Sequence, residues 1–324
     1  MKTPAVLAEY ARIAEPRLRE FLLRKRGELD ALPLPFPGAV LEEYVLRGGK
    51  RLRGALVTLA GGTLDASIGI ELFHAYLLIH DDFMDRDELR RGGPTVHVAL
   101  GGDHRAGSLA ILLGSLCQSW AYELVLGAPH GDEAGRALTR ALQEVTVGQA
   151  LDLLAAGAEV PAAGVLAIER LKTGSYSFEL PLRIGAIVAG RDPAAYLGYA
   201  RPLGQAFQIA DDLLGTFGTV EATGKPNASD LREGKRTLLV ARALEAASPS
   251  DAAALRAGLR RGSALTDTEA DALRAILRRS GAVDAARAEA ERLCAEAIAA
   301  LDRVPPETAA ALREIAEFSL RRAL

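Results

Sequence analysis

The chain has 324 residues, 49% of them hydrophobic, 25% charged and 5% aromatic. That is ample material for a core, and the dominance of Ala, Leu and Arg favours helices over strands. A formal charge of −3 excludes a general polyanion binder such as a nucleic-acid protein, so any anion site must be local.

Cys117 and Cys294 lie far apart and have no CxxC partner. The expectation is neither a disulfide framework nor a zinc site, and a reducing, cytoplasmic setting. The start of the chain meets Glu9, Glu15 and several arginines early and shows no signal-peptide apolar run.

Breakers then fall at Pro33 to Pro37, Gly48-Gly49, Gly61-Gly62, Gly92-Gly93-Pro94, Gly127 to Pro129, Gly157 to Pro161 and Asp192-Pro193. Between them lie helical patterns of roughly 10 to 25 residues, with no alternation long enough for a sheet. Ser108 to Ala128 is apolar enough to need a membrane check. Gly114, Gln118 and Glu123 interrupt it, and we read it as a buried helix of a soluble bundle without transmembrane segments. Thr216 to Glu233, rich in Gly, Thr, Asp and Lys, resists a helical reading and is expected to be a functional loop. Thr266 with Glu269 has capping-box spacing, and Pro306-Glu307 suits a first helical turn. The expected architecture is all-α, a large helical bundle around a central cavity, as a single domain over residues 1–324.

Two acid clusters carry the chemistry. Asp81-Asp82-Phe83-Met84-Asp85 ends the apolar run Leu72 to Ile79. On a helix Asp81 and Asp85 lie about 40° apart, so both carboxylates can leave one face. Three acids so close repel each other unless a cation is present, and hard oxygens suit Mg²⁺. Phe207-Gln208-Ile209-Ala210-Asp211-Asp212 ends a second apolar run, with Gly215 where a third acid could stand. Either cluster alone could be a solvated helix end; two of them could face each other across a cavity.

Compact basic groups accompany them: Gly48-Gly49-Lys50-Arg51-Leu52-Arg53, Arg90-Arg91-Gly92-Gly93, Lys172-Thr173-Gly174, Thr223-Gly224-Lys225 and Gly234-Lys235-Arg236-Thr237. Each could be solvated charge, but two diphosphates beside four or more aspartates require metals and several cations. His74 stands seven residues before Asp81, beneath it on the helix, as a core residue or a ligand contact. Gln149 and Asp152 set two polar groups a turn apart on another apolar helix, and His97 and His104 read as structural.

Together these residues resemble the polyprenyl synthetase family, the trans-isoprenyl diphosphate synthases. The signature runs in order as Gly-Lys-x-x-Arg, DDxxD with a following Arg pair, Gly-Gln-x-x-Asp, Lys-Thr, Phe-Gln-x-x-Asp-Asp and two late lysines. The resemblance implies the isoprenoid synthase fold and Mg²⁺ as cofactor, about three ions per site. It implies Asp81, Asp85 and Asp211 as metal ligands, with Asp82 and Asp212 in support. Arg90, Lys172, Thr173, Gln208, Lys225 and Lys235 would grip the allylic diphosphate, and Lys50, Arg53, His74 and Arg91 the isopentenyl diphosphate. Homodimerisation is implied as well. Gly54 departs from a frequent Pro, Ser115 from a frequent Gly-Asp, Ser229 from a frequent acid and Gly215 from a third acid; the Gly61 to Glu71 connection looks short.

In that family a bulky residue upstream of the first cluster stops the growing tail. Tyr76, Leu77 and Phe73 stand there, a short-chain arrangement that resembles the geranylgeranyl type, with farnesyl diphosphate as the alternative product. The three could also simply fill core. A class I terpene cyclase and an inactive subunit of a heteromeric synthase are the other readings. The first should lack a second diphosphate pocket, and the second should have lost an acid cluster.

Overall fold

Helices begin and end where the sequence places its breakers. The computed structural model describes residues 3–155, 158–218 and 228–321. These pack as two compact units, one running to Leu138 and joined by Pro181–Pro193, the other comprising Thr139–Leu180 and the chain from Ala194 onward.

In the first unit α1 (Ala5–Asp30), α2 (Gly38–Leu46), α3 (Leu52–Leu59) and α4 (Leu64–Met84) follow one another. The short Gly61 to Glu71 connection is explained by α4 itself. Thr63 caps it, accepting from the Ala66 N–H at 3.2 Å, so the helix starts directly after the Gly61-Gly62 turn. After α4 comes a small hairpin, Leu89–Arg90 paired antiparallel with Gly93–Pro94, which the helical periodicity did not anticipate. The short α5 (Val96–Ala99) and then α6 (His104–Leu126) complete the run, and α4 packs chiefly on α6.

Helix α6 corrects one expectation. By length and composition it could cross a membrane, yet 39% of its apolar window is buried. Ala106, Ala110, Leu113, Cys117, Ala121 and Val125 form the buried face, whereas Leu112 is 60% exposed. The helix is one-sided rather than sunk in a core.

Gly54, at the start of α3, explains a departure from the family pattern. A Cβ there would lie 1.9 Å from the hydroxyl oxygen of Tyr10, which crosses from α1 and donates to Ser67 Oγ at 3.0 Å. The Gly54 N–H donates to Glu71 Oε1 at 2.8 Å. Glu71 is 5% exposed, and its other oxygen lies 3.5 Å from Arg51 Nη1. Arg51 holds a left-handed φ of +47° and donates to Val45 O at 2.9 Å. A proline at 54 has neither the N–H nor the room. The buried pair thereby fixes the backbone that carries Lys50 and Arg53.

The second unit contains the end of α7 (Gly131–Ala155), α8 (Ala162–Glu169), a π-helical segment (Arg170–Glu179) and α10 (Leu197–Phe217). Between the last two, α9 (Leu180–Val188) leads into the stretch belonging to the first unit. α10 packs on the Ala282–Ala299 helix, and Tyr199 of α10 donates to Leu312 O at 2.7 Å. The Thr266–Glu269 capping box is present in both directions, and the last helix opens on Pro306. The stretch Thr216 to Glu233, expected to be non-helical, is helical near both ends, where α10 continues to Phe217 and Ser229–Arg232 forms a short helix; residues 219–227 lie outside the described residues.

Gly54→Pro should lower the unfolding free energy by about 3 kcal/mol or more, through the lost donor to buried Glu71 and the clash with Tyr10. Urea unfolding checks this; an unchanged midpoint would contradict it.

Candidate active site

The first acid cluster divides by depth. Asp82 is 0% exposed. Tyr44 donates to its Oδ2 at 2.6 Å, Arg90 Nε to its Oδ1 at 2.7 Å, and Arg90 Nη2 bonds the same oxygen. Burial raises the Asp82 pKa from the usual carboxylate range, and Arg90 pulls the other way. Burial would lower the Arg90 pKa, but the charge and hydrogen bond of Asp82 outweigh it and hold the guanidinium above its ordinary value. Arg90 also donates to Asp87 Oδ2 at 3.0 Å and lies 3.9 Å from Asp81 Oδ2.

The hairpin delivers Arg90 to that place. Arg91 and Gly92, its two turn residues, have φ of +52° and +75°, the sign pattern of a type I′ turn. Arg47 pins both strands, donating to Arg90 O at 3.0 Å and Pro94 O at 2.7 Å.

Asp81 and Asp85 are joined through their backbones, Asp85 N–H to Asp81 O at 2.8 Å, one helical turn apart. Their hard oxygens fit Mg²⁺, which binds through one or two carboxylates, waters and substrate phosphates. Among the described residues no three His, Cys, Asp or Glu side chains form a closed metal cage. A metal held jointly with a phosphate needs no such cage.

Arg53, His74 and Arg91 gather near Gly48-Gly49-Lys50. Arg53 Nη1 is 3.2 Å from His74 Nε2. A guanidinium only donates, so Nε2 accepts and the ring proton sits on Nδ1. Burial first, then the charges of Arg53, Arg91, Arg90 and Arg51, hold the His74 pKa well below normal. Arg91 Nη1 donates to Gly48 O at 2.5 Å, and Lys50 is exposed on the adjoining turn.

Upstream on α4, Phe73 is fully buried and Tyr76 is 8% exposed, their rings 5.8 Å apart. Tyr76 meets the His80 ring edge-on at 4.7 Å, and His80 Nε2 lies 2.9 Å from Ile111 O. Leu77 is half-buried. His97 packs on Phe83 and Thr95. Ser115 is turned to the exposed side of α6, where its hydroxyl donates to Ile111 O at 3.0 Å.

In the second unit Asp212 is 4% exposed and accepts from Gln208 Nε2 at 2.9 Å. Burial, then the charge of Asp230, pushes its pKa up to about 7. Glu169, hydrogen-bonded to it, is raised well above the carboxylate range by burial and by the charge of Asp212. Asp211, the next residue back on α10, is less buried.

Lys172 and Thr173 stand in the π-helical segment, a geometry common at functional sites. Lys172 Nζ lies 2.6 Å from Asp152 Oδ2, which joins the Gly-Gln-x-x-Asp and Lys-Thr motifs. Gly148 permits this approach: a Cβ there would be 2.4 Å from Lys172 N. Lys235 Nζ is 2.6 Å from Glu233 Oε2. Lys225 lies outside the described residues.

Sequence reasoning missed Tyr44, Asp87 and Glu169. Asp87 extends a visible acid run, and Glu169 is the lone acid of the apolar α8; Tyr44 carries no signal in sequence.

A family model described as Polyprenyl synthetase matches residues 38–276. The chain belongs to the polyprenyl synthetase family. It is 35% identical over 266 residues, 78% of each chain, to a short chain isoprenyl diphosphate synthase of Methanothermobacter thermautotrophicus. It is 39% identical over 241 residues to a geranylfarnesyl diphosphate synthase of Aeropyrum pernix, covering 68% of this chain and 73% of that one. A geranylgeranyl pyrophosphate synthase from Corynebacterium glutamicum, solved with isoprenyl diphosphate and magnesium, superposes with a TM-score of 0.90. That pair shares 33% identity over 98% of this chain and 99% of the other. This polyprenyl synthetase is thus a short-chain trans-prenyltransferase with the all-α fold of its family, whose members depend on Mg²⁺.

Tyr44→Phe removes a donor from a buried carboxylate and should cost about 2 kcal/mol of stability, read by urea unfolding; no change would contradict the role given to the hydroxyl. His74 should remain neutral with its proton on Nδ1 from about pH 8 down to about pH 6. Its depressed pKa means that the unfolded chain takes up the proton first, so stability falls as pH drops below the unfolded value. Nitrogen NMR of the imidazole checks this, and an imidazolium signal at pH 7 would contradict it.

Proposed function

We propose that the enzyme condenses isopentenyl diphosphate with allylic diphosphates up to the twenty-carbon geranylgeranyl diphosphate. The observation that carries this reading is the pair of separate cationic sets in one unit. Arg90 stands at the first acid cluster, oriented by Asp82, whereas Arg53, His74 and Arg91 gather beside Lys50. Two sets suit two diphosphates; a terpene cyclase, which handles one, has no use for the second. Both acid clusters remain, unlike in an inactive subunit.

Asp81, Asp85 and Asp211 are the residues that would hold Mg²⁺, about three ions in all. Bound Mg²⁺ supplies the Lewis-acid charge that favours departure of the diphosphate. Arg90, Lys172, Thr173, Gln208, Lys225 and Lys235 hold that diphosphate and offset its growing charge. Lys50, Arg53, His74 and Arg91 fix isopentenyl diphosphate so that its double bond faces the allylic cation. A neutral His74 with its proton on Nδ1 keeps Nε2 for Arg53 and so orients the guanidinium. The last proton leaves to the departed diphosphate by family analogy. Asp82 and Asp212, buried and internally bonded, support the neighbouring acids.

The product length rests on α4. The continuous helix sets Tyr76 five residues before Asp81, roughly 7.5 Å along the axis. The Phe73–Tyr76–His80 stack backs that position with aromatic bulk. Farnesyl diphosphate is the alternative product. We further propose a cytoplasmic homodimer in which residues 1–324 work as one isoprenoid synthase domain.

Radiolabelled isopentenyl diphosphate with each allylic starter should give twenty-carbon product as the longest major species. A fifteen-carbon limit would favour the farnesyl reading, and no condensation with any starter would overturn both. Phe73→Ala combined with Tyr76→Ala should lengthen the product; an unchanged distribution would refute the ruler.

A further inference from the structure

The segment Arg170–Glu179 keeps π-helical geometry over 10 residues. Its wide bonding shows at the end, where the Leu180 N–H donates to Ser175 O, five residues back. Ser175 Oγ donates to Leu171 O at 3.3 Å and so engages a carbonyl of the first turn. Such geometry is rare in helices, and what packs against this segment must hold it open.

Two glycines on neighbouring helices meet its backbone. Gly148 of α7 is buried, and a Cβ there would lie 2.4 Å from Lys172 N, 2.7 Å from Lys172 Cα and 2.7 Å from Leu171 C. All three are main-chain atoms, so no side-chain rotation relieves the contact. Gly204 of α10 is buried as well, and its Cβ would lie 3.0 Å from Gly174 O and 3.3 Å from Gly174 Cα. Again only backbone is met. The two helices thus bear on the segment at Lys172 and at Gly174, with Thr173 between them. Asp152, one turn along α7 from Gly148, accepts from Lys172 Nζ at 2.6 Å. One face of α7 therefore takes both the backbone and the ammonium of Lys172. Helix interiors ordinarily favour alanine over glycine, and a glycine set against foreign backbone marks a need for close approach.

We propose that Gly148 and Gly204 are positioning residues for the allylic diphosphate. Their bare Cα atoms let α7 and α10 close on the π-helical turn, which fixes the backbone that bears Lys172 and Thr173. The inference rests on the reading of those two residues as allylic diphosphate contacts, through which the glycines act. It also sets an order of effects. A methyl group added at 148 falls roughly 1 Å short of ordinary contact, and one added at 204 only a few tenths of an ångström short.

The test compares wild type, Gly148→Ala, Gly204→Ala and Lys172→Ala at saturating Mg²⁺. For each, the KM for geranyl diphosphate, the KM for isopentenyl diphosphate and the unfolding temperature are measured. Gly148→Ala should raise the geranyl diphosphate KM roughly 10-fold and Gly204→Ala roughly 3-fold, by displacing the groups that hold it. The isopentenyl diphosphate KM should keep its wild-type value, because the cationic set assigned to it belongs to the other unit. Both glycine variants should unfold at lower temperature than wild type, against the usual gain from alanine in a helix. Gly204→Ala, the milder change, carries the test should Gly148→Ala fail to fold. If the glycine variants keep the wild-type geranyl diphosphate KM while Lys172→Ala raises it, the inference fails and the assignment of Lys172 stands. An equal rise in both KM values would show general distortion and overturn the inference too. If Lys172→Ala leaves the geranyl diphosphate KM unchanged, the assignment beneath it falls.

Discussion

A carboxylate sealed from water must be matched by charge and hydrogen bonds, or it gives up its ionised form. Asp82 is in that position, and the surrounding geometry follows from how it is matched. Tyr44 comes from α2 and Arg90 from the hairpin, so three separate pieces of chain converge on one side chain. Breaking a buried pair of this kind typically costs about 3–5 kcal/mol, which makes the end of α4 hard to displace. With Asp82 turned inward, helical geometry leaves Asp81 and Asp85 together on a different face, one turn apart. The same bond fixes where Arg90 sits relative to Asp81.

A parallel arrangement orders the start of α3. Arg51 and Glu71 form the buried pair there, and the Gly54 N–H supplies a further hydrogen bond. The side chains of Lys50 and Arg53, proposed to hold a diphosphate, are thus mounted on backbone fixed from beneath. Both arrangements bury charge where hydrophobic packing would be less costly. The return is placement: the groups proposed to meet a highly charged substrate are held before it arrives.

The helices were legible because breakers and apolar periodicity agree. The Thr266–Glu269 box and the Pro306 start were readable to the residue, being local chemistry. The family was legible because its motifs have short spacing and residue types that are chemically costly to bring together. The rest depended on long-range contacts. Tyr44 bonds a residue 38 positions away, and Tyr10 meets Gly54 from another helix, so neither leaves a local pattern. The two-residue strands around Arg91 and Gly92 were too short for periodicity to register. α6 was read as buried because its composition is mostly apolar, whereas burial is decided by which face meets α4. Gly54 looked like a deviation in sequence and is a steric requirement in the fold.

The central claim is that carboxylates hold the divalent cation through which diphosphate binds. Its most direct measurement is the affinity of the wild-type enzyme for inorganic pyrophosphate with saturating Mg²⁺ and after complete chelation. The account predicts tight binding with Mg²⁺ and a loss of at least roughly 100-fold without it, because the diphosphate would then meet aspartates alone. Equal affinity under both conditions would contradict it.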